Sequence, residues 1–237
     1  MNNMIIFYPE LFFKKNLADV FNIEMKKINS ELKVDLFDSK NQLHYARYEK
    51  YGKFCQIFIA KYKRTFSVDY WKQGVCLAHS SIGNKRNVAL SINEWIINNN
   101  NIKEFTEKYP FVIFNDIAED FENNNEVDYS WKKYLKEIPK SHPELKDFVF
   151  ESYKNNKIKK LFPYMSLNNF CFSRCTGYPY TTDCPYVYVE NGIIIIKNRK
   201  GKILGKGNVE ESIKIILDNI PDDFSFAVKG IADELDK

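Results

Sequence analysis

The chain has 237 residues, of which 44% are apolar and 16% are aromatic. This is enough to bury the core of one large domain or of two small ones. Its 35 basic residues are nearly balanced by 31 acidic residues, and the formal net charge is +4. Such a mild charge does not imply nucleic acid as a partner.

The opening residues, the lengths of the apolar runs and the cysteine count predict where in the cell the protein is located. The opening run MNNMIIFYPELFF lacks the basic region and the cleavage site of a signal peptide, and the longest apolar run elsewhere covers residues 193–196. We therefore expect neither a signal peptide nor a membrane span. Five cysteines are an odd number, which argues against a complete disulfide framework and for reduced thiols. These observations predict a soluble, cytoplasmic protein.

A helix followed by an antiparallel meander is predicted for the N-terminal part of the chain. The helix covers residues 11–29 and has an apolar stripe formed by Leu17, Val20, Phe21, Met25 and Ile28. Five segments of alternating apolar and polar residues follow at 32–37, 42–48, 54–63, 66–71 and 75–79. The third segment carries bulk on both faces, for example Phe58 on one and Ile57 on the other. We expect this strand to be central and covered on both sides.

The middle of the chain is predicted to be helical. One helix is indicated by a stripe of Val88, Ile92, Trp95 and Ile96, and a shorter one by residues 102–109. Residues 111–114 form an apolar run that fits either a buried turn or a strand. A further helix is indicated around 131–138, and Ser141 with Glu144 three residues later is a capping-box start for another.

The C-terminal part contains a strong hairpin signal. Asn191-Gly192 lies between the apolar segments 185–190 and 193–198, and both central residues of a type I′ turn need a positive φ. Residues 202–204 are predicted to add a third strand.

A last helix begins at Asn208, with Glu211 at the reciprocal capping position. Together the elements predict an α+β fold, with an antiparallel sheet, a central helical group and a C-terminal hairpin plus helix. No linker-like stretch interrupts the chain, which favours a single composite domain over residues 1–237 with sub-regions 1–85 and 86–237. The two strand regions fit either one sheet or two.

The stretch from residue 161 to 189 is the most specified part of the sequence. It contains Cys171, Cys175 and Cys184, whose C-x3-C-x8-C spacing matches no common zinc module. Because Cys171 falls in a predicted strand over residues 168–174, we interpret these thiols as structural and expect no metal and no cofactor. A metal site that also uses His142 is the alternative.

A cysteine nucleophile is a further alternative. Cys175 precedes a Thr-Gly turn, and histidines are available at 44, 79 and 142, but none is near it in sequence and no local signature surrounds it. His44 and His79 lie in predicted strands, which favours hydrogen-bonded sheet histidines.

The same stretch holds the candidate binding residues Arg174, Tyr178, Tyr180 and Asp183. Arg174 lies among aromatic residues and prolines, where a planar guanidinium suits a half-buried place. We expect it to fasten the following loop by bonding backbone carbonyls, with ligand binding as the alternative. At least one of the two tyrosines is expected to be exposed.

The motif SRCTGYPY at 173–180 is the most specific part of a resemblance that also rests on residues 161–163, Trp95, KYPFV at 108–112 and HPEL at 142–145. These residues resemble a bacterial family of uncharacterised domains, some of whose members are labelled natural-product biosynthesis proteins. The likeness covers residues 65–230, and it assigns no catalytic or binding residue.

Two classes of function follow. The first, which the sequence favours, is a non-catalytic cytoplasmic binding protein of the immunity or antitoxin type, which neutralises a partner toxin by direct binding. The alternative, which the resemblance implies, is an enzyme or accessory protein of bacterial small-molecule biosynthesis. A shallow aromatic surface would support the first and a deep pocket with convergent polar groups the second. Neither a nucleic acid nor a membrane is expected as a partner.

Overall fold

The computed structural model describes residues 6–14, 16–34, 44–98, 101–222 and 225–235. By internal contacts the chain divides into two compact units, Met1–Glu122 and Asn123–Lys237. The described residues form eight α-helices, three short 3-10 helices and two five-stranded antiparallel sheets. The predicted α+β class is therefore confirmed, and the two strand regions form separate sheets. None of the described helices is long and apolar enough to cross a membrane.

The first unit contains one sheet with helices before and after it. Its helices are α1 (Leu17–Lys27), α2 (Lys85–Ile97), α3 (Ile102–Lys108) and α4 (Ala118–Glu122), and a 3-10 helix covers Pro9–Phe13. Its strands are β1 (Tyr45–Lys50), β2 (Lys53–Ile59), β3 (Phe66–Lys72), β4 (Val75–Ile82) and β5 (Val112–Phe114). They pair in sequence order. Thus the run at 111–114, which fitted a turn or a strand, contains the edge strand β5.

The predicted strand at 32–37 is not formed by residues 32–34, which are the part of it that the structure describes. Residues 31–34 have no strand pairing, and residues 35–37 lie outside the described residues. Asn22 explains the difference, because its side-chain amide donates to the Val34 carbonyl at 2.8 Å and accepts from the Val34 N–H at 3.0 Å. A side chain therefore satisfies the backbone groups that a neighbouring strand would have paired.

Strand β2 is covered on one face only, so the expectation of cover on both sides is wrong. Cys55 and Ile57 are fully buried, whereas Phe58 on the opposite face is 39% exposed. On that face Phe54 stacks on Trp71 with ring centroids 5.2 Å apart. Bulky side chains on this face pack along the sheet surface, which is why the sequence suggested a second covering layer.

The second unit repeats the pattern of helices on a sheet. Its helices are α5 (Glu126–Ser141), α6 (Lys146–Lys154), α7 (Val209–Leu217) and α8 (Ala232–Leu235), with 3-10 helices at Pro143–Leu145 and Ile158–Lys160. Its strands are β6 (Phe162–Ser166), β7 (Asn169–Ser173), β8 (Tyr186–Glu190), β9 (Ile193–Lys197) and β10 (Ile203–Gly207). Their order in the sheet is β10-β9-β8-β7-β6.

The hairpin and the last helix are confirmed. Asn191 and Gly192 have φ values of 51° and 76°, as a type I′ turn requires, and Glu190 pairs with Ile193 across it. Strand β10 adds the predicted third strand. At α7 the capping box is complete, because Asn208 accepts from the Glu211 N–H and the Glu211 side chain accepts from the Asn208 N–H.

The capping box predicted at Ser141 is wrong. Helix α5 continues through Ser141, whose hydroxyl donates to the Glu137 carbonyl at 3.0 Å. The chain leaves the helix at His142, which has an extended φ of −142°. Pro143 explains this position, because a proline disfavours helical geometry at the residue before it.

One face of the second sheet packs on α5 and α6. Phe170 and Phe172 of β7 are fully buried with Trp131 and Phe148. Helix α5 is also fixed to β6 and to the residue before it, since the Ser130 hydroxyl donates to the Pro163 carbonyl at 2.7 Å and the Trp131 indole N–H donates to the Leu161 carbonyl at 3.0 Å. The opposite face of this sheet is the one that carries the candidate site.

The capping box at α7 can be tested by Asn208→Ala. We expect this change to lower the free energy of unfolding by about 1 kcal/mol, because the Glu211 N–H in the first turn loses its side-chain acceptor. Asn208→Asp keeps a side-chain oxygen and should retain most of the stability. Urea unfolding of both variants measures the difference, and equal losses in the two would contradict the capping role.

Candidate functional site

The loop over residues 174–185 is held by the C-terminal segment of the same unit. The N–H groups of Thr176 and Gly177 donate to the carbonyls of Val228 and Gly230 at 3.0 and 2.8 Å. In return the Val228 N–H donates to the Arg174 carbonyl at 2.9 Å. The peptide bond between Tyr178 and Pro179 is cis, and the Pro179 carbonyl accepts from Ala232. The loop is therefore fixed by backbone pairing with residues about fifty positions further along the chain.

Two hydroxyl side chains close the base of the loop. The Ser173 hydroxyl accepts from the N–H groups of Cys175 and Thr181 at 3.0 and 3.2 Å. The Thr181 hydroxyl accepts from the Arg174 N–H at 3.0 Å. Because Ser173 and Thr181 are buried, these bonds replace water for backbone groups that would otherwise be unsatisfied.

Arg174 binds a carboxylate, a partner that the sequence did not assign to it. Its Nε and Nη2 atoms lie 2.6 and 2.5 Å from Oδ2 of Asp183. The Arg174 and Pro179 carbonyls accept from the C-terminal segment. The guanidinium thus links residue 174 at one end of the loop to residue 183 near the other end.

The same contact sets the ionisation of Asp183. Burial alone raises the pKa of this carboxyl, but hydrogen bonds from Arg174 and Thr181 and the charge of Arg174 outweigh burial and lower the pKa. Asp183 is therefore a carboxylate at neutral pH, and Arg174 and Asp183 neutralise each other.

The two predicted tyrosines occupy different positions. Tyr178 is 64% exposed, which confirms that at least one of them is exposed. Tyr180 is half-buried and stacks on Tyr164 of β6, with ring centroids 4.0 Å apart and planes at 28°. The Tyr178 ring meets the Tyr180 ring edge-on at 5.9 Å. Burial raises the pKa of Tyr180 to about 12, so its hydroxyl keeps its proton.

Arg199, which the sequence analysis missed, extends this group. Its guanidinium carbon lies 5.4 Å from the Tyr164 ring centroid and 5.6 Å from that of Tyr186. Nη2 donates to the Tyr164 hydroxyl, and Nη1 contacts the Cys171 sulfur at 3.6 Å. We call the set Tyr164, Tyr178, Tyr180, Tyr186 and Arg199 the tyrosine–arginine surface. The sequence did contain a signal for Arg199, because the segment 191–209 around it has no acidic residue.

The thiols have the properties of structural cysteines. All five are free, and burial raises the pKa of each, to about 11 for Cys76 and about 12 for Cys184. The Cys175 sulfur contacts the Ser173 hydroxyl and the carbonyls of Gly177 and Pro179. A protonated thiol in these surroundings is a poor nucleophile and a poor metal ligand.

Among the described residues, no histidine side chain forms a hydrogen bond with a cysteine. His79 lies in β4, where its Nδ1 atom is 3.2 Å from the Asn115 side-chain oxygen, which confirms a hydrogen-bonded sheet histidine. His44 precedes β1, and His142 contacts Ser141. Within the described residues, no group of three or more His, Cys, Asp or Glu side chains is arranged to hold a metal ion.

The fold and the site define an α+β protein whose second unit carries an aromatic and cationic surface. Residues 125–231 match a family of unknown function (DUF6193). The match covers less than half of the chain, lies within the second unit, and includes the whole tyrosine–arginine surface. It supports similarity to an uncharacterised domain family, and its description carries no natural-product label. No curated protein and no solved structure matches the chain.

The state of the cysteines can be tested by thiol counting. In denaturant we expect five reactive thiols per chain, because all five are reduced. In the native protein at neutral pH, reaction with a disulfide reagent should be at least about tenfold slower than for a free thiol, since burial disfavours the thiolate. A native cysteine that reacts rapidly would contradict the structural interpretation.

The pair of Arg174 and Asp183 can be tested by a double-mutant cycle with alanine at each position. We expect a coupling energy of about 1 kcal/mol at pH 7, the upper end for partly exposed pairs. The folded pKa of Asp183 is lowered, so the coupling is complete above the unfolded pKa of about 4 and is lost as the pH falls through the folded pKa.

The exposed pair of Lys154 and Glu151, 2.7 Å apart on α6, is the matched control for that cycle. Its coupling should be no more than a few tenths of a kcal/mol. Urea unfolding at several pH values measures both cycles. Equal coupling in the two pairs would show that Arg174 does not fasten the loop.

Proposed function

We propose that this chain is a non-catalytic binding protein of the immunity or antitoxin type, which neutralises a partner toxin by direct binding. The observation that carries the proposal is the position of Tyr178, which is 64% exposed at the tip of a loop held by backbone bonds to Val228 and Gly230. Tyrosine and arginine are typical anchors of protein interfaces. An anchor that is already fixed loses little conformational entropy on binding.

The chemistry of the loop also supports binding over catalysis. The cysteines of the loop keep their protons because burial raises their pKa. The carboxylate of Asp183 is neutralised by Arg174. A groove of about 570 Å³ between α6 and α7 is lined by Glu151, Lys154, Asn155, Val209, Glu210 and Ile213. None of the four predicted binding residues lines it. The biosynthetic alternative rests on the resemblance in the sequence.

The proposal is tested by Tyr178→Ala. The protein encoded by the neighbouring gene is expressed in a bacterial host alone, with the wild-type chain and with the variant. Growth inhibition by that protein should be relieved by the wild type. We expect Tyr178→Ala to weaken the purified complex by about 2 kcal/mol, roughly thirtyfold in Kd, while leaving the melting temperature nearly unchanged.

The control is Tyr62→Ala, which removes an exposed tyrosine ring from the first unit, where Tyr62 is 76% exposed. It should bind as the wild type does. Tyr180→Ala is a less specific probe, because this ring stacks on Tyr164 and its loss should also lower stability. A wild-type chain that neither binds the neighbouring protein nor relieves its toxicity would overturn the proposal.

A further inference from the structure

The segment 191–209, which lies between Glu190 and Glu210, is a concentration of positive charge. It contains Lys197, Arg199, Lys200, Lys202 and Lys206 and no acidic residue. Among the described residues, none of these five forms an ion pair with a carboxylate. By contrast Arg47, Arg64 and Arg174 each bind one, at 2.9, 2.8 and 2.5 Å.

Arg199 is partly buried, so water solvates its charge less well than the charge of an exposed lysine. Its hydrogen-bond partners are the Tyr164 hydroxyl and the Cys171 thiol, and its Nε atom is buried without a partner. Burial raises the pKa of both Tyr164 and Cys171, so neither supplies a negative charge at neutral pH. A guanidinium removed from water in this way is costly unless an anion joins it.

The guanidinium is nevertheless held in place. The rings of Tyr164 and Tyr186 lie 5.4 and 5.6 Å from its carbon, a distance at which a cation is attracted to an aromatic face. Its bonds to Tyr164 and Cys171 use one N–H of each terminal nitrogen, which leaves one N–H on each. Two such N–H groups match the two oxygens of a carboxylate.

Other residues of the same face extend the charge. Cys171 pairs with Tyr186, and Tyr186 pairs with Lys197, so these side chains point to the same side of the sheet. Lys206 pairs with Ile195, two residues before Lys197, and therefore shares that side. Contacts between rings continue the face from Tyr164 through Tyr180 to the exposed Tyr178.

We propose that the tyrosine–arginine surface, together with Lys197 and Lys206, binds an acidic segment of a protein partner, with one carboxylate of that segment held by Arg199. The inference rests on the proposed function and specifies its partner by charge. Glu190 lies on the same face of β8 as Tyr186 and acts on Lys197, but no described carboxylate pairs with Arg199. Aspartate and glutamate side chains of the partner supply that carboxylate, and Tyr178 supplies the apolar contact at the edge of the surface.

The arrangement of the rings favours a protein over a single-stranded nucleic acid. Binding of single strands uses free aromatic faces on which bases stack. Here one face of Tyr164 is covered by Tyr180 at 4.0 Å, and Arg199 lies against the ring as well. Tyr164 packed in this way offers no face to a base. The exposed Tyr178 could stack on one base, but a single strand uses a series of rings for successive bases, whereas the guanidinium keeps N–H groups for a carboxylate.

The test uses two probes, a hexaglutamate peptide and a ten-nucleotide thymidine single strand, with binding measured by titration calorimetry. The wild type should bind the peptide, and raising NaCl from about 50 to about 500 mM should weaken binding at least about tenfold, since salt screens exposed charges. Arg199→Gln should weaken peptide binding at least about fivefold. Arg199→Lys, which keeps the charge but loses the planar fork, should fall between them.

The matched control is Lys136→Gln, because Lys136 is exposed on α5, the helix that packs on the opposite face of the sheet. It removes the same charge and should bind the peptide as the wild type does. The melting temperature of each variant shows that it is folded. Failure of the wild type to bind the peptide, equal losses in Arg199→Gln and Lys136→Gln, or tighter binding of the oligonucleotide than of the peptide would each overturn the inference.

The growth assay separates this inference from the proposed function. If the wild type relieves toxicity and Arg199→Gln does so equally, the binding function stands and the acidic-segment inference fails. If the peptide binds through Arg199 but the wild type relieves no toxicity, the surface stands and the immunity-type function fails.

Discussion

The second unit depends on the backbone bonds that join the 174–185 loop to residues 228–232. A loop that turns sharply has N–H and C=O groups that no regular strand satisfies, and each one left buried without a partner is costly. Here the distant segment pairs with Thr176 and Gly177, and the hydroxyls of Ser173 and Thr181 take up the remaining N–H groups at the base. The positions of Tyr178 and Arg174 follow from this pairing.

In the first unit, side chains bond the backbone groups of irregular segments. The hydroxyl of the buried Tyr8 accepts from the N–H groups of Ala60 and Thr65 and donates to the Thr65 carbonyl at 2.8 Å. Asn22 holds both backbone groups of Val34. In each place one polar side chain bonds backbone groups of an irregular segment, as a neighbouring strand would have done.

The two faces of the second sheet have different roles because their side chains alternate. On β7, Phe170 and Phe172 point to the helices and form the core with Trp131. Cys171 points the other way, toward Arg199. Burial of the first face stabilises the unit, and the second face is left to carry tyrosines and cations. An interface placed there rests on a rigid sheet, so partner contacts do not have to order it first.

The sequence by itself determined the local features of this protein. Helix α1, strands β1 to β4, the turn at Asn191-Gly192 and the cap at Asn208 all follow from periodicity or from the preferences of single residues. It also predicted that at least one of Tyr178 and Tyr180 is exposed and that Cys171 is buried. The tertiary structure alone decided that Arg174 binds Asp183, that Val228 holds the loop, and that Arg199 lies against Tyr164. The physical reason is that periodicity reports which face of an element is buried, whereas these contacts depend on which distant groups fold onto that face.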